Sequence, residues 1–140
     1  MTKYQVVGIG NAVVDVITQS TDAFLNEMSI DKGIMQLVDQ DRSEALFNKI
    51  DQSVQTSGGS VANTVAGVGS LGLKTAFIGR VRDDALGNFY AKSMIDEGTD
   101  FVNAPATDED LPTSRCMIFV TPDGERSMNT YLGISTNLGP

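Results

Sequence analysis

Residues 4–16 read YQVVGIGNAVVDV, and the fold turns on what that stretch is built to hold. Val6, Val7 and Ile9 are strand formers and the run ends in glycine, so residues 4–10 are expected as a buried strand. An apolar strand entering Gly8-x-Gly10 is how a dinucleotide-binding unit begins, with a third glycine three residues further on. Val13 occupies that place, and Asn11 and Asp15 stand around it. The segment is either a damaged cofactor loop or a strand built around two polar residues.

Asp15 sharpens the choice. It lies inside VVDVI with no lysine or arginine near it in sequence, and a carboxylate there is costly to bury without a partner. Ionised, its two oxygens accept hydrogen bonds from adjacent hydroxyls such as those of a sugar diol. An exposed residue on the outer face of an edge strand would carry the same sequence. Asn11 reads equally well as a turn residue after Gly10.

Outward from this strand, the chain alternates strands and short helices. Residues 13–18 resume an extended β-branched run, and Ser20-Thr21-Asp22 offers an N-cap to a short helix. Residues 34–38 form a short strand. Asp41 with Glu44 then suggests a capping box for a helix over 42–51. A strand at 54–57 enters Ser57-Gly58-Gly59-Ser60 and a helix over 61–71. That helix shows Val61, Val65 and Val68 beside Ala62 and Ala66, so it is expected to be buried against a close neighbour. Residues 75–80 form a strand, and Asp83 or Asp84 starts a helix carrying Leu86, Tyr90 and Met94 on one face. Residues 116–132 read as two strands joined by Pro122-Asp123-Gly124. The β–α alternation predicts an α/β protein with three layers and a largely parallel sheet. The strands near 13–18, 34–38 and 116–132 fit no βαβ unit and are expected to form a small second sheet.

SGGSVANT, residues 57–64, is the other candidate for chemistry. Two glycines ahead of a helix let backbone approach a ligand closely, and the first amides of the helix have no partner within it. Asn63 is expected in the first turn. The segment suits neutral hydroxyls or an anion, and also suits a plain strand–turn–helix junction.

Composition excludes several classes. The chain has 140 residues, 10 basic against 18 acidic side chains and a net charge of −8, with no basic cluster, which argues against nucleic acid or an anionic membrane as partner. It contains no histidine, so Ser-His-Asp, Cys-His and histidine-based zinc chemistry are excluded within it. One cysteine, Cys116, permits no internal disulfide and suits a reducing compartment. No apolar run approaches membrane-spanning length. A cytoplasmic location is expected.

The ordered set GIGNAVVDV, SGGSVANTVAGVGSLG, IGRVRDDALG and TPDGERSMNTYLG closely resembles the N-terminal part of the ribokinase-like (pfkB) carbohydrate and nucleoside kinases. NAVVDV, MQLVDQD, SGGSVANT and PTSRCMIFVTPDGERSMNTYL are similar, in the same order, to the adenosine kinase branch. The resemblance implies a ribokinase-like three-layer α/β/α fold with a small β-sheet lid. It implies an ATP-dependent, Mg²⁺-assisted transfer of phosphoryl to a primary hydroxyl of a nucleoside or sugar.

It also implies site residues. Asn11 and Asp15 would contact the acceptor, and Gly58, Gly59 and Asn63 would complete the hydroxyl site. Gln36 and Val38 match positions near the base, Val13 an apolar wall, and Cys116, Met128, Thr130 and Leu132 strand positions flanking the acceptor. Ordinary packing is an equal reading of the apolar positions among these. Arg82 stands where many members have glycine. The family's second signature, D-T-x-G-A-G-D, does not occur in the 140 residues. The resemblance therefore makes residues 1–140 an N-terminal, acceptor-binding portion with the catalytic aspartate and ATP site elsewhere, inactive by itself. No catalytic or metal residue is assigned. A homodimer through the lid sheet is compatible with the family. A sugar kinase, a non-catalytic binding fragment and a dinucleotide-binding domain are the rival readings.

Overall fold

The structure is a computed structural model that describes residues 3–139. The elements follow in the order β1 (Val6–Ile9), β2 (Val13–Gln19), α1 (Asp22–Glu27), β3 (Met35–Leu37), α2 (Gln40–Phe47), β4 (Val54–Gly58), α3 (Ser60–Ser70), β5 (Thr75–Ile78), α4 (Ala85–Asp96), β6 (Thr99–Phe101), β7 (Ser114–Val120) and β8 (Arg126–Tyr131). Two compact units result. The first comprises Met1–Val14, Thr56–Ser114 and Leu132–Pro140, and the second Asp15–Gln55 and Arg115–Tyr131.

In the first unit β1, β5 and β6 make a parallel sheet in the order β1-β5-β6, with Gly8 beside Phe77 and Val7 beside Ala76. The small residues of α3 are explained by its seat on this sheet. A Cβ added to Gly8 would lie 2.7 Å from Cγ1 of both Val61 and Val65, and one added to Gly69 would lie 2.7 Å from Thr75 Oγ1. Gly67, by contrast, has nothing within 4 Å. Asp84 caps α4 by accepting from the Gly87 amide at 2.8 Å. The helix then buries Tyr90 and Met94, and the Tyr90 ring lies 6.3 Å from that of Phe77 and 5.6 Å from that of Phe101.

Both helices use the side of the sheet bearing Gly8 and Phe77. Val7 and Ile9, on the other side of β1, are 51% and 63% exposed. Of the three layers expected, the described residues supply two. Arg82 needs no left-handed backbone: Ser29 is the one non-glycine residue with positive φ among those described. Its amide donates to Thr113 Oγ1 at 3.0 Å, and its guanidinium donates to the Asp110 carbonyl at 2.6 Å.

In the second unit Leu25, Ile30, Leu46, Met117 and Phe119 form the core, with Phe24, Met28, Val38 and Ile50 against it. Each such side chain, fully buried, contributes about 1.5–3 kcal/mol. Arg115 is held over the Phe47 ring at 4.4 Å and donates from Nε to Ser43 Oγ at 2.7 Å. The strand order of the second sheet is β3-β8-β7-β2-β4. It has five strands, against three in the parallel sheet among the described residues. The strand expected at 54–57 is its edge strand β4.

Two further expectations are corrected. Asp39, not Asp41, caps α2 by accepting from the Arg42 amide at 2.8 Å, and the helix ends at Phe47. The short strand β6, whose Thr99-Asp100-Phe101 carries no pattern a reader of sequence would catch, was not anticipated.

Candidate functional site

In the first unit Ser57 and Gly58, the end of β4, lead through Gly59 to the start of α3. Gly59 is the N-cap residue, with φ of 103° and no side chain to cap the helix. A Cβ there would approach the Asn11 carbonyl oxygen to 2.5 Å, so backbone meets backbone at this point. Only glycine meets both demands, the left-handed φ and the close approach. The Gly58 carbonyl is fixed from below by the buried Tyr90 hydroxyl, which donates to it at 2.9 Å. Ser93 and Ser57 hydroxyls lie 3.2 Å apart beside it. The Asn63 amide closes the first turn of α3 on the Gly59 carbonyl at 2.9 Å, and its side chain is exposed. Asn11 is exposed and Val13 is buried. The structure thus brings Asn11 and Gly59 together and leaves the Asn63 carboxamide facing solvent.

In the second unit Asp15 is half-buried on β2. Burial alone holds its carboxyl above the usual range, since no donor among the described residues meets it. Its charge acts on Cys116 of β7. The Cys116 thiol is pushed up first by burial and further by Asp15, against the opposing effect of a hydrogen bond from Thr130 Oγ1 at 3.2 Å.

Register decides which residues share that side. Cys116 pairs with Thr130 and Ile118 with Met128, while Met117 pairs with Asn129 and Phe119 with Ser127. Met117 and Phe119 enter the core under α1 and α2, so Cys116, Ile118, Met128 and Thr130 face away from it. The parallel pairing of β3 sets Met35 beside Met128 and Leu37 beside Thr130, with Gln36 beside Asn129.

Gln36 and Val38 lie on the other parity of β3. Val38 packs into the core cluster, and Gln36 shares the core-side parity and donates to Asp31 Oδ2 at 2.8 Å. Met35 and Leu37, passed over in the sequence, are the β3 residues on the Cys116 and Met128 side. They are 52% and 65% exposed, unusual for apolar residues in a strand. Their alternation around one polar residue, matched to Met128, was the available signal. Tyr90 has the spacing of a helix-face residue, and nothing in the sequence ties its hydroxyl to Gly58.

A hollow of about 760 Å³ lies elsewhere in the second unit, between Ile17, Thr18, Phe24, Ile50, Val54 and Phe119. None of the sequence-predicted residues lines it. Among the described residues no group of three or more histidine, cysteine, aspartate or glutamate side chains lies together to hold a metal, and no helix is long and apolar enough to cross a membrane.

The pfkB family carbohydrate kinase model matches residues 26–140. The chain belongs to this family. Its ribokinase-like α/β fold is shown by solved structures of high likeness. An adenosine kinase from Sinorhizobium meliloti superposes with a TM-score of 0.85 and 48% identity over 99% of this chain and 42% of its own. A probable sugar kinase from Rhizobium etli gives 0.86 and 44% over 100% of this chain and 42% of its own. Among curated proteins, a fructokinase of Escherichia coli is 35% identical over 81 residues, covering 58% of this chain and 26% of its own length. The chain thus spans well under half the length of these relatives.

Proposed function

We propose that this chain provides the acceptor-binding part of an ATP-dependent kinase that phosphorylates a primary hydroxyl of a nucleoside, adenosine-like, with a sugar as the second reading. One observation carries the choice of nucleoside. The side of the second unit's sheet bearing Cys116, on which the charge of the half-buried Asp15 acts, also bears Met35, Leu37, Ile118 and Met128. A carboxylate without a partner suits ribose hydroxyls, and the aliphatic side chains suit the flat face of a base. A free sugar would leave that wall with nothing apolar to cover it, and a sugar hydroxyl placed there without a partner costs on the order of 1–3 kcal/mol.

In the first unit, the Gly58-Gly59 turn, Asn11, Val13 and Asn63 are assigned to the acceptor by family resemblance. The turn suits this because Gly59 exposes main chain where any other residue would clash. Phosphoryl transfer depends chiefly on positioning and charge stabilisation, and the part proposed here is positioning. ATP and Mg²⁺ are the family's co-substrate and metal. No residue of this chain is assigned to either.

The sugar reading is favoured by the curated relatives, which include the fructokinase and a 5-dehydro-2-deoxygluconokinase of Geobacillus kaustophilus that is 49% identical over 43 residues. A coupled-kinase panel on the full-length protein decides between them. Adenosine, inosine and guanosine are set against ribose, fructose and 2-keto-3-deoxygluconate. Turnover of adenosine above the sugars is expected. Turnover of a sugar with none of any nucleoside would replace the first reading with the second, and no turnover of any acceptor would remove both.

A further inference from the structure

β3 has three residues and one strand neighbour, β8. Such a strand is poorly fixed by its ladder alone, yet it presents Met35 and Leu37. What holds its approach is polar. Lys32 Nζ donates to Asp22 Oδ1 at 2.7 Å, on the first residue of α1, and to Asp123 Oδ2 at 2.6 Å, in the β7–β8 turn. The second carboxylate is itself oriented, because Asp123 Oδ1 accepts from Thr121 Oγ1 at 2.7 Å and from the Glu125 amide at 3.2 Å. Directly after Lys32, the Gly33 amide donates to the buried Ser127 Oγ at 3.0 Å. Gly33 has φ of 78°, and a Cβ there would meet Glu125 Oε2 at 2.9 Å. The Ile34 carbonyl then accepts from the Met128 amide at 2.9 Å, and the Val38 amide donates to the Thr130 carbonyl at 2.9 Å.

We infer that Lys32 is a positioning residue for acceptor recognition: by joining α1 to the β7–β8 turn it fixes the segment that sets Met35 and Leu37 beside Met128. The inference rests on the nucleoside reading for its kinetic consequence but not for its structural one. A single exposed ion pair contributes little. Here one ammonium takes carboxylates from two elements, one of them already held by two other donors, so less side-chain freedom is lost on pairing. A cationic side chain with several donors fits this role because it can donate to two carboxylates in different directions.

The test uses the full-length protein with Lys32→Met, Lys32→Arg and Asp123→Asn. In Lys32→Met, KM for the nucleoside is expected to rise about three- to tenfold with kcat within about twofold, and Lys32→Arg to recover most of the loss. Global destabilisation would instead lower kcat through loss of active protein. Amide exchange is expected to quicken at Met128 and Val38, whose bonds join β3 to β8, and to stay unchanged at Met117 in β7. Asp123→Asn should give the same exchange pattern and stands in if Lys32→Met fails to fold. Unchanged exchange at Met128 and Val38 in the folded variant overturns the inference. A wild-type enzyme that turns over no nucleoside defeats the functional reading, and exchange alone then decides the role of Lys32.

Discussion

Asp15 shows at the scale of one residue how a site costs stability. Its carboxyl is held above the ordinary value by burial, so between the unfolded and folded values the folded chain binds more protons than the unfolded one. Stability contributed at this position therefore falls as pH rises through that window, and the penalty is complete above the folded value. Asp15→Asn is expected to raise the melting temperature at pH 7, with the gain vanishing as pH drops below the ordinary aspartate value of 3.8. In the full-length protein the same substitution should weaken acceptor binding roughly ten- to hundredfold, the loss of a charge-assisted hydrogen bond of about 1.5–3 kcal/mol. Calorimetry of acceptor binding beside a pH series of melts checks both halves. Asp15 would be a packing residue if stability rose and binding did not change. Gly59 makes the opposite case, a residue whose substitution gains nothing. Gly59→Ala combines a left-handed φ with a 2.5 Å approach to the Asn11 carbonyl, and a loss of at least about 1–3 kcal/mol is expected by denaturant titration. Gly67→Ala, with open space around it, should instead gain about 0.5–1 kcal/mol of helix stability.

Elements show what the sequence made legible and where it failed. The α3 helix was readable because its valines, alanines and glycines have one sensible use, close seating on a sheet, and Gly8 and Gly69 supply it. The β7–β8 hairpin was readable from Pro122-Asp123-Gly124. The side presented by β3 was not, because a one-residue slip in a strand reverses every side chain. Both Met35 and Leu37 are exposed, so the usual rule that apolar residues face the core pointed the wrong way. Membership of β4 in the second sheet was hidden for a different reason. Val54, the apolar residue that opens it, is 64% exposed, and pairing partners far along the chain leave no local mark. Leu37→Ser in the full-length protein is therefore expected to raise KM for a nucleoside several-fold and leave a free sugar unaffected, whereas Gln36→Ala should change neither KM. Steady-state kinetics on paired acceptors separates them, and a larger effect from Gln36 would reverse the side assigned to β3.

For the whole molecule the governing feature is uneven cover. The second unit closes its core under two helices, while among the described residues of the first no helix covers the side of β1 on which Val7 and Ile9 are exposed. Exposed apolar strands of this kind invite association. The 140-residue chain is expected to bind a hydrophobic dye and to self-associate at micromolar concentration, and Val7→Thr with Ile9→Thr should reduce both without changing the far-ultraviolet circular dichroism. Sedimentation of the two chains decides it, and equal association would place the adhesive surface elsewhere. The same bare strand bears on synthesis. Val7 and Ile9 leave the ribosome ahead of α3 and α4. In any longer protein that continues beyond residue 140, α3 and α4 can seat on their side of β1 well before later residues could cover the other. At translation rates of about 5–20 residues per second, each further hundred residues prolongs that interval by roughly 5–20 s. A nascent chain of this family would then be a natural client for chaperones that shield apolar strands near the exit tunnel, with β1 as the segment they hold.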